Sequence, residues 1–377
     1  MESIERKLFE KSNRIVVKVG SSLIINQKNG LINKSVLNLI VSEIHNLINM
    51  SKEITLVSSG AIALGKKALR LRTNYLKTSE KQAAAAVGQV LLVNAWQEAF
   101  EKKNISCAQI LLTHNDAENR RRSLNARNTI ESLIKLNIIA IINENDSIAT
   151  EELRYGDNDQ LAARVSQIIS ADLLILLSDV EGLFSSNPLR NSRAKLINRV
   201  YKITRQIEKI SENTGSATSV GGMHTKIKAA KLALAFGCNM IIALGNRKKC
   251  IQNTSEKGKS TWFISKTSPT SARKKWISSQ LVVKGNITID HGAEKALLKG
   301  ASLLPAGIIS VKGRFEKGDI INILNKNRKE LFVGLTSYSS IEIKKIAGSK
   351  SNEIKNLLGY HIKDVVVHRD DMVIKKK

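Results

Sequence analysis

Cysteine is scarce. Three residues, Cys107, Cys238 and Cys250, serve a chain of 377. They are odd in number, far apart and never in a C-x-x-C pair, which excludes a disulfide framework and the usual zinc-ligand spacing. They read as small buried hydrophobes. Long apolar runs are missing as well: LLILLS and IIAII are too short to span a bilayer. The N-terminal MESIERKLFEKSNR mixes charges where a secretory leader would be apolar. A cytoplasmic protein without membrane contact is the expectation. Acidic residues number 33 against 60 Lys and Arg, for a formal net charge of +27. A nucleic-acid binder would gather that excess on one face. Leu281 to Lys377 hold 18 basic and 10 acidic side chains, close to their share of an even spread. Aromatics make up only 4%, few for base-stacking platforms. RNA is therefore not an expected partner, and the charge reads as a bias spread over the whole chain.

What is present is 42% hydrophobic and 25% charged, enough for a sizeable core and two domains. RIVVKV at 14–19 reads as a buried strand that ends at the small residues Gly20, Ser21 and Ser22. Asn33 then caps a helix with Val36, Leu37, Ile40, Val41, Ile44, Leu47 and Ile48 on one stripe. Further strands are predicted at 54–59, 105–112, 138–143, 172–178 and 239–245, with helices at 80–101, 125–136, 158–170 and 222–236. Near-continuous apolar strands alternating with helices predict a mainly parallel sheet covered on both faces, a three-layer α/β sandwich. Beyond about residue 262 a polar stretch holding Pro269 reads as a connector. From Leu281 onward LVVKGNITID, GIISVKGRF, DIINILN, ELFVGLTS and VVVHRD, with helices near 293–299 and 339–346, predict a small β-barrel. The expected domains are 12–263 and 281–377, joined by a linker at 264–280. No internal repeat is found.

In open α/β sheets ligands bind beyond the carboxyl ends of the strands. Lys18, Gly20, Ser21 and Ser22 follow the first strand; Ser58, Ser59, Gly60 and Ala61 the second; Asn143 to Asp146 the fourth; Ser178 and Asp179 the fifth. Small residues that bring backbone N–H groups to a helix start favour an anion, so a phosphorylated ligand is expected. Plainer readings exist: Lys18 as an ordinary strand-end lysine, Ser59-Gly60 as a helix cap. GAIALGKK at 60–67 nearly spells a P-loop, but Lys67 replaces the Ser or Thr that must hold magnesium, and AIAL is too apolar. An apolar helix start packed on the sheet explains the same letters. In SVGGMHTKIKAAKLALAFG, 219–237, two glycines precede a helix carrying Lys226 early. That arrangement aims amides and an ammonium at one phosphate group, unless it is only a glycine turn before a surface helix. His224 has no second His or Cys at ligand spacing, and no metal ligand is identified.

The blocks VVKVGSS, VSSGAIALG, AAAAVGQ, LNAR, INENDSIAT, GDND, LLLSDVEGL, GGMHTK, GASLLPAGI and VVVHRDDM stand in family order. Through them the chain, from about Arg14 to Asp371, resembles the glutamate 5-kinases of the amino acid kinase family, which carry a C-terminal PUA domain. The resemblance implies ATP-dependent phosphorylation of the side-chain carboxylate of L-glutamate, the first step of proline biosynthesis, with Mg²⁺ on the nucleotide. It makes Lys18 and Lys226 the lysines that stabilise the moving phosphoryl group and Asp159 the residue that orients them. It puts glutamate on Ser59, Asp146 and Asn158, with Asn143 and Asp157 close by. It puts the nucleotide on Lys18, Gly20, Ser178 and Asp179 and on Val220, Gly221, Gly222, Met223, His224, Thr225 and Lys226. Ser178 and Val220 stand where Thr is usual, and His224 where Ser is usual, so departures concentrate on the nucleotide side.

The resemblance also accounts for INENDSIATEELRYGDND, 142–159, which gathers six acids in a basic chain. The α-ammonium of glutamate needs acceptors and negative charge, while Glu151 and Glu152 read as a solvated loop face. Proline as feedback inhibitor, a homo-oligomer and handoff of the labile product to a glutamyl phosphate reductase are further implications. The rival readings are another amino acid kinase, acting on aspartate, N-acetylglutamate or UMP, and an RNA-binding protein acting through the PUA-like region. NEND, GDND and the C-terminal region argue against the first, the even charge spread against the second.

Overall fold

The computed structural model describes residues 3–26, 29–71, 76–148, 158–188, 190–212, 222–256, 259–278, 282–360 and 363–375. The chain divides into two units, 1–269 and 270–377. The first runs α1 (Ile4–Lys11), β1 (Arg14–Val19), α2 (Ser21–Ile24), α3 (Lys34–Asn49), β2 (Glu53–Ser58), α4 (Ala61–Ala68), α5 (Thr78–Glu101), β3 (Cys107–Leu112), α6 (His114–Glu118), α7 (Arg120–Lys135), β4 (Ile139–Glu144), α8 (Asn158–Ile168), β5 (Leu173–Ser178), β6 (Arg199–Val200), α9 (Arg205–Glu212), α10 (Met223–Ala235), β7 (Asn239–Leu244) and β8 (Ser260–Phe263). The strands form one sheet in the order β3-β4-β2-β1-β5-β7-β8-β6. All neighbours from β3 to β7 are parallel; β8 runs antiparallel to β7, with β6 parallel to β8.

The apolar strands are continuous because each face of the sheet is covered. Ile15, Val17 and Val19 pack in one core with Leu37 and Ile40 of α3 and Trp96 of α5. Val16 packs in the other with Ile130 of α7, Leu161 of α8 and Ile227 of α10. The strands β4, β5 and β7 divide in the same way, Leu173, Ile175 and Leu177 to the first core and Leu174 and Leu176 to the second. This period of two places Lys18 on the side of Val16, facing α8 and α10. The carboxyl ends of β1, β2, β4 and β5 stand side by side, with the two halves of the sheet growing outward from β1 and β5.

The first five long strands and Asn33, whose side chain accepts from Val36 N, lie where the sequence places them. The sheet also extends further than expected. β8 is only STWF, too short to show a period, yet Trp262 and Phe263 are buried in it. The block GAIALG packs Ala61 and Leu64 into the sheet's core, and its glycine serves a helix crossing. A Cβ on Gly65 would lie 1.7 Å from Ala84 O, and one on Gly88 1.8 Å from Ala61 O. Only glycine lets α4 and α5 approach this closely. Gly60, at φ +113°, caps α4 in a conformation that side chains resist.

The second unit contains α11 (Pro269–Ser278), β9 (Gly285–Ile289), α12 (His291–Leu298), β10 (Ile308–Gly313), β11 (Ile320–Leu324), β12 (Glu330–Leu335), α13 (Ser340–Ile346), α14 (Ile354–Leu358) and β13 (Met372–Ile374). Five strands pair in the order β10-β9-β11-β12-β13. VVVHRD does not form the last of them: Val367 only bridges Leu303, and the strand begins at Met372. The polar stretch around Pro269 contains a helix, α11, and buries Ile277 with Ile320, Val333 and Leu335. Phe315, Phe332 and Tyr338 are core residues here, which leaves Tyr360 the exposed one of the four aromatics in 281–377. No helix among the described residues is long and apolar enough to cross a membrane.

Candidate active site

Three elements bring one buried ion cluster together. β1 delivers Lys18 near its carboxyl end, α8 opens with Asn158 and Asp159, and α10 carries Thr225 and Lys226 in its first turn. A helix N-terminus favours a carboxylate, which suits Asp159 where it stands. Lys18 Nζ pairs with Asp159 Oδ1, and Lys226 Nζ lies 3.0 Å from Oδ2. The Thr225 hydroxyl is 2.7 Å from Gly222 O and 3.2 Å from Asp159 Oδ2. Asp159 is fully buried, and Lys18 and Lys226 are nearly so. Burial by itself would raise the Asp159 carboxyl, but the charges and hydrogen bonds of Lys18 and Lys226 outweigh it and hold it down at about 2. Two cations on one anion leave a net positive charge shielded from water. Such a site attracts an anion strongly, since a charge pair about 4 Å apart at an effective dielectric of about 20 is worth on the order of 4 kcal/mol.

Beside this cluster runs a chain of amides. Asn158 Nδ2 lies 3.1 Å from Ser58 O, 2.8 Å from Ser59 Oγ and 2.8 Å from Asn143 Oδ1. Asn143 in turn donates from Nδ2 to Gln89 Oε1 at 2.6 Å. Trp96 Nε1 donates to Ser58 Oγ at 2.8 Å, tying the end of β2 to α5. Past β4, Asp146 is half-buried and has no hydrogen-bond or ion-pair partner among the described residues. Desolvation pushes its carboxyl up to about 6. A carboxylate in that condition gains much from a cationic ligand.

The expected nucleotide residues lie at neighbouring strand and helix ends. Gly20 follows β1, and a Cβ there would stand 4.0 Å from Lys18 Nζ, growing toward the ammonium. Ser178, buried at the end of β5, donates to Asp179 Oδ1 at 3.0 Å, and Asp179 is exposed. Gly222 caps α10 without a side-chain acceptor, which leaves the first amides of that helix open to an anion. Met223 and His224 are half-buried in the same turn. Asp157, Val220 and Gly221, with Glu151 and Glu152, lie outside the described residues.

Direct contact thus joins Lys18, Asp159, Thr225 and Lys226 in one group and Ser59, Asn143 and Asn158 in another. Among the described residues Asp146, Ser178, Asp179 and His224 make no hydrogen bond or ion pair with either group. Gln89 and Trp96 were not expected at the site, and Ser58 was named only among the residues that follow the second strand. The available signal for Gln89 was slight: it is a polar residue inside the apolar AAAAVGQVLL.

The model of the amino acid kinase family matches residues 13–244, and that of the PUA domain residues 285–358. A glutamate 5-kinase of Sinorhizobium fredii is 48% identical over 366 residues, covering 97% of this chain and 93% of its own. One from Pelagibacter ubique is 49% identical over 362 residues, 96% of this chain and 98% of its own. One from Caulobacter vibrioides is 44% identical over 376 residues, 99% and 100% of the two chains. A family match over more than half the length, and nearly half the residues shared with glutamate 5-kinases almost end to end, establish that the chain belongs to the amino acid kinase family and carries a PUA domain.

Proposed function

We propose that the chain is a glutamate 5-kinase, transferring the γ-phosphoryl group of ATP to the side-chain carboxylate of L-glutamate to give L-glutamyl 5-phosphate and ADP. The acceptor carboxylate is already ionised at neutral pH, its ordinary pKa being about 4.3, so no general base is required. What the reaction needs is in-line placement and neutralisation of phosphoryl oxygens. The observation that carries the reading is the convergence of Lys18 and Lys226 on the two oxygens of Asp159. In this account Asp159 positions both ammonium groups, which face the transferring group. A stabilisation on the order of 4 kcal/mol per charge contact corresponds to a factor of about a thousand in rate.

Ser59, Asn143, Asn158 and Asp146 then form the glutamate side, with Asp146 receiving the α-ammonium. Gly20, Ser178, Asp179 and the first turn of α10 form the nucleotide side. Both oxygens of Asp159 are engaged by ammonium groups, and no cluster of three His, Cys, Asp or Glu side chains among the described residues is placed to hold a metal. Mg²⁺ would come with ATP, as the resemblance implies. When bound it supplies charge neutralisation across the β- and γ-phosphates.

Feedback by proline and handoff of the labile acyl phosphate to a reductase belong to the same reading, as implications of the resemblance. A homo-oligomer is supported by α5, where Val87, Val90 and Leu91 expose an apolar stripe. Coupled ADP release with ATP and Mg²⁺ tests the reading on a panel of L-glutamate, L-aspartate, N-acetylglutamate, carbamate and UMP. Turnover with glutamate alone is the expected result. Turnover with another member and none with glutamate overturns it.

A further inference from the structure

The amide chain behind Asn158 has two loose ends, and its polarity follows without choosing any amide orientation in advance. Ser58 O is a backbone carbonyl and only accepts, so the Asn158 atom 3.1 Å away is the amino nitrogen Nδ2. The same nitrogen stands 2.8 Å from Asn143, which must meet it with Oδ1. Asn143 therefore turns Nδ2 to Gln89, which accepts through Oε1 at 2.6 Å. An acceptor is left over at one end, Asn158 Oδ1, and a donor at the other, Gln89 Nε2. Both atoms are buried, and neither has a partner among the described residues. Buried polar groups are almost always paired in folded proteins, so two orphans of opposite character on one short relay point to a ligand.

We propose that Gln89 binds substrate, its Nε2 donating to the α-carboxylate of the amino acid while Asn158 Oδ1 accepts from the α-ammonium. This rests on the glutamate reading above and assigns the far end of that substrate. The sheet sets the direction: β4, carrying Asn143, lies two strands from β1, carrying Lys18, about 10 Å at ordinary strand spacing. A glutamate whose γ-carboxylate meets the two lysines extends its α-carbon toward the relay. There Asn158 Oδ1 offers an acceptor, joined on the glutamate reading by Asp146, and acceptors suit an ammonium and repel a carboxylate. A neutral donor beside them satisfies the remaining group.

Gln89→Glu tests this with little disturbance, because it keeps an acceptor oxygen for Asn143 Nδ2 and replaces only the donor. L-Glutamate is compared with 4-aminobutyrate, which lacks the α-carboxylate, and with glutarate, which lacks the ammonium. The KM of glutamate and the competitive Ki of the two analogues are measured by ADP release. The expected result is a rise of at least about 30-fold in glutamate KM and a comparable loss for glutarate, with 4-aminobutyrate changed less than about threefold. An unchanged glutamate KM, or equal weakening of all three compounds, overturns the assignment and leaves Gln89 a structural residue. Wild-type protein without glutamate turnover would instead remove the reading on which it rests.

Discussion

Lys226 Nζ stands 3.0 Å from one oxygen of Asp159, whose other oxygen is held by Lys18. The two lysines come from opposite ends of the catalytic unit and meet only because β1 and α10 flank the start of α8. Lys226→Met preserves the stem and removes the charge. It is expected to lower kcat by at least about a hundredfold while glutamate KM stays within about threefold, as steady-state kinetics would report. Near-normal turnover in a folded variant contradicts the assigned role.

Asp159→Asn leaves two buried ammonium groups without a counter-charge. Removing one partner of a buried ion pair destabilises by about 3–5 kcal/mol, and urea unfolding at pH 7 should show a loss of that order. The pH dependence has a definite sign. The Asp159 carboxyl is depressed in the folded state to about 2, so its contribution is complete above the unfolded value of about 3.9 and disappears as pH falls through the folded one. The gap between wild type and variant should therefore persist from pH 7 to 5 and shrink only in strong acid.

Asp146 has the opposite character. Its folded carboxyl is raised to about 6, so the free enzyme loses its ammonium receptor as pH drops through that value. At saturating MgATP, kcat/KM for glutamate should fall with an apparent pKa near 6, a limb absent from Asp146→Asn. Glutamate KM of that variant should rise strongly above about pH 6 and approach the wild-type value below it. Ionising Asp146 also strains the unliganded fold: the penalty builds as pH climbs from about 4 and is complete above the folded pKa. Asp146→Asn should accordingly be more stable than wild type at pH 8 by about 1–2 kcal/mol after allowance for solvent at this half-buried group, read as a higher unfolding temperature. The difference should vanish below about pH 4.

Gly88→Ala places a Cβ 1.8 Å from Ala61 O by the native backbone. The α4–α5 crossing must open, which also displaces Gln89 and the Gly60 turn. Overpacking of this kind costs about 1–3 kcal/mol, and thermal unfolding should show it, together with a raised glutamate KM. Unaltered stability would mean the two helices are not held this closely.

The fold was legible wherever a period was long enough to count. Ile15 to Val19 and Leu173 to Leu177 announce strands buried on both faces, and the alternation that splits them between two cores also aims Lys18 at α8. β8 and β13 were not legible, because four and three residues carry no period and their pairing depends on distant partners. The role of Gly65 and Gly88 lies in the distance between two helices, which spacing along one of them does not disclose. Lys18 and Lys226 stood out through their places after a strand and a pair of glycines as well as through resemblance, and Asp159 through resemblance alone. Gln89 did not, since an amide on an apolar helix gains meaning only once Asn143 is beside it.

The most direct measurement is trapping of the acyl phosphate. Purified protein with ATP, Mg²⁺, L-glutamate and hydroxylamine should form γ-glutamyl hydroxamate in step with ADP, and Lys226→Met should form almost none. Hydroxamate at wild-type rates from that variant, or ADP release from the wild type without hydroxamate, would contradict transfer to the glutamate carboxylate under the control of the paired lysines.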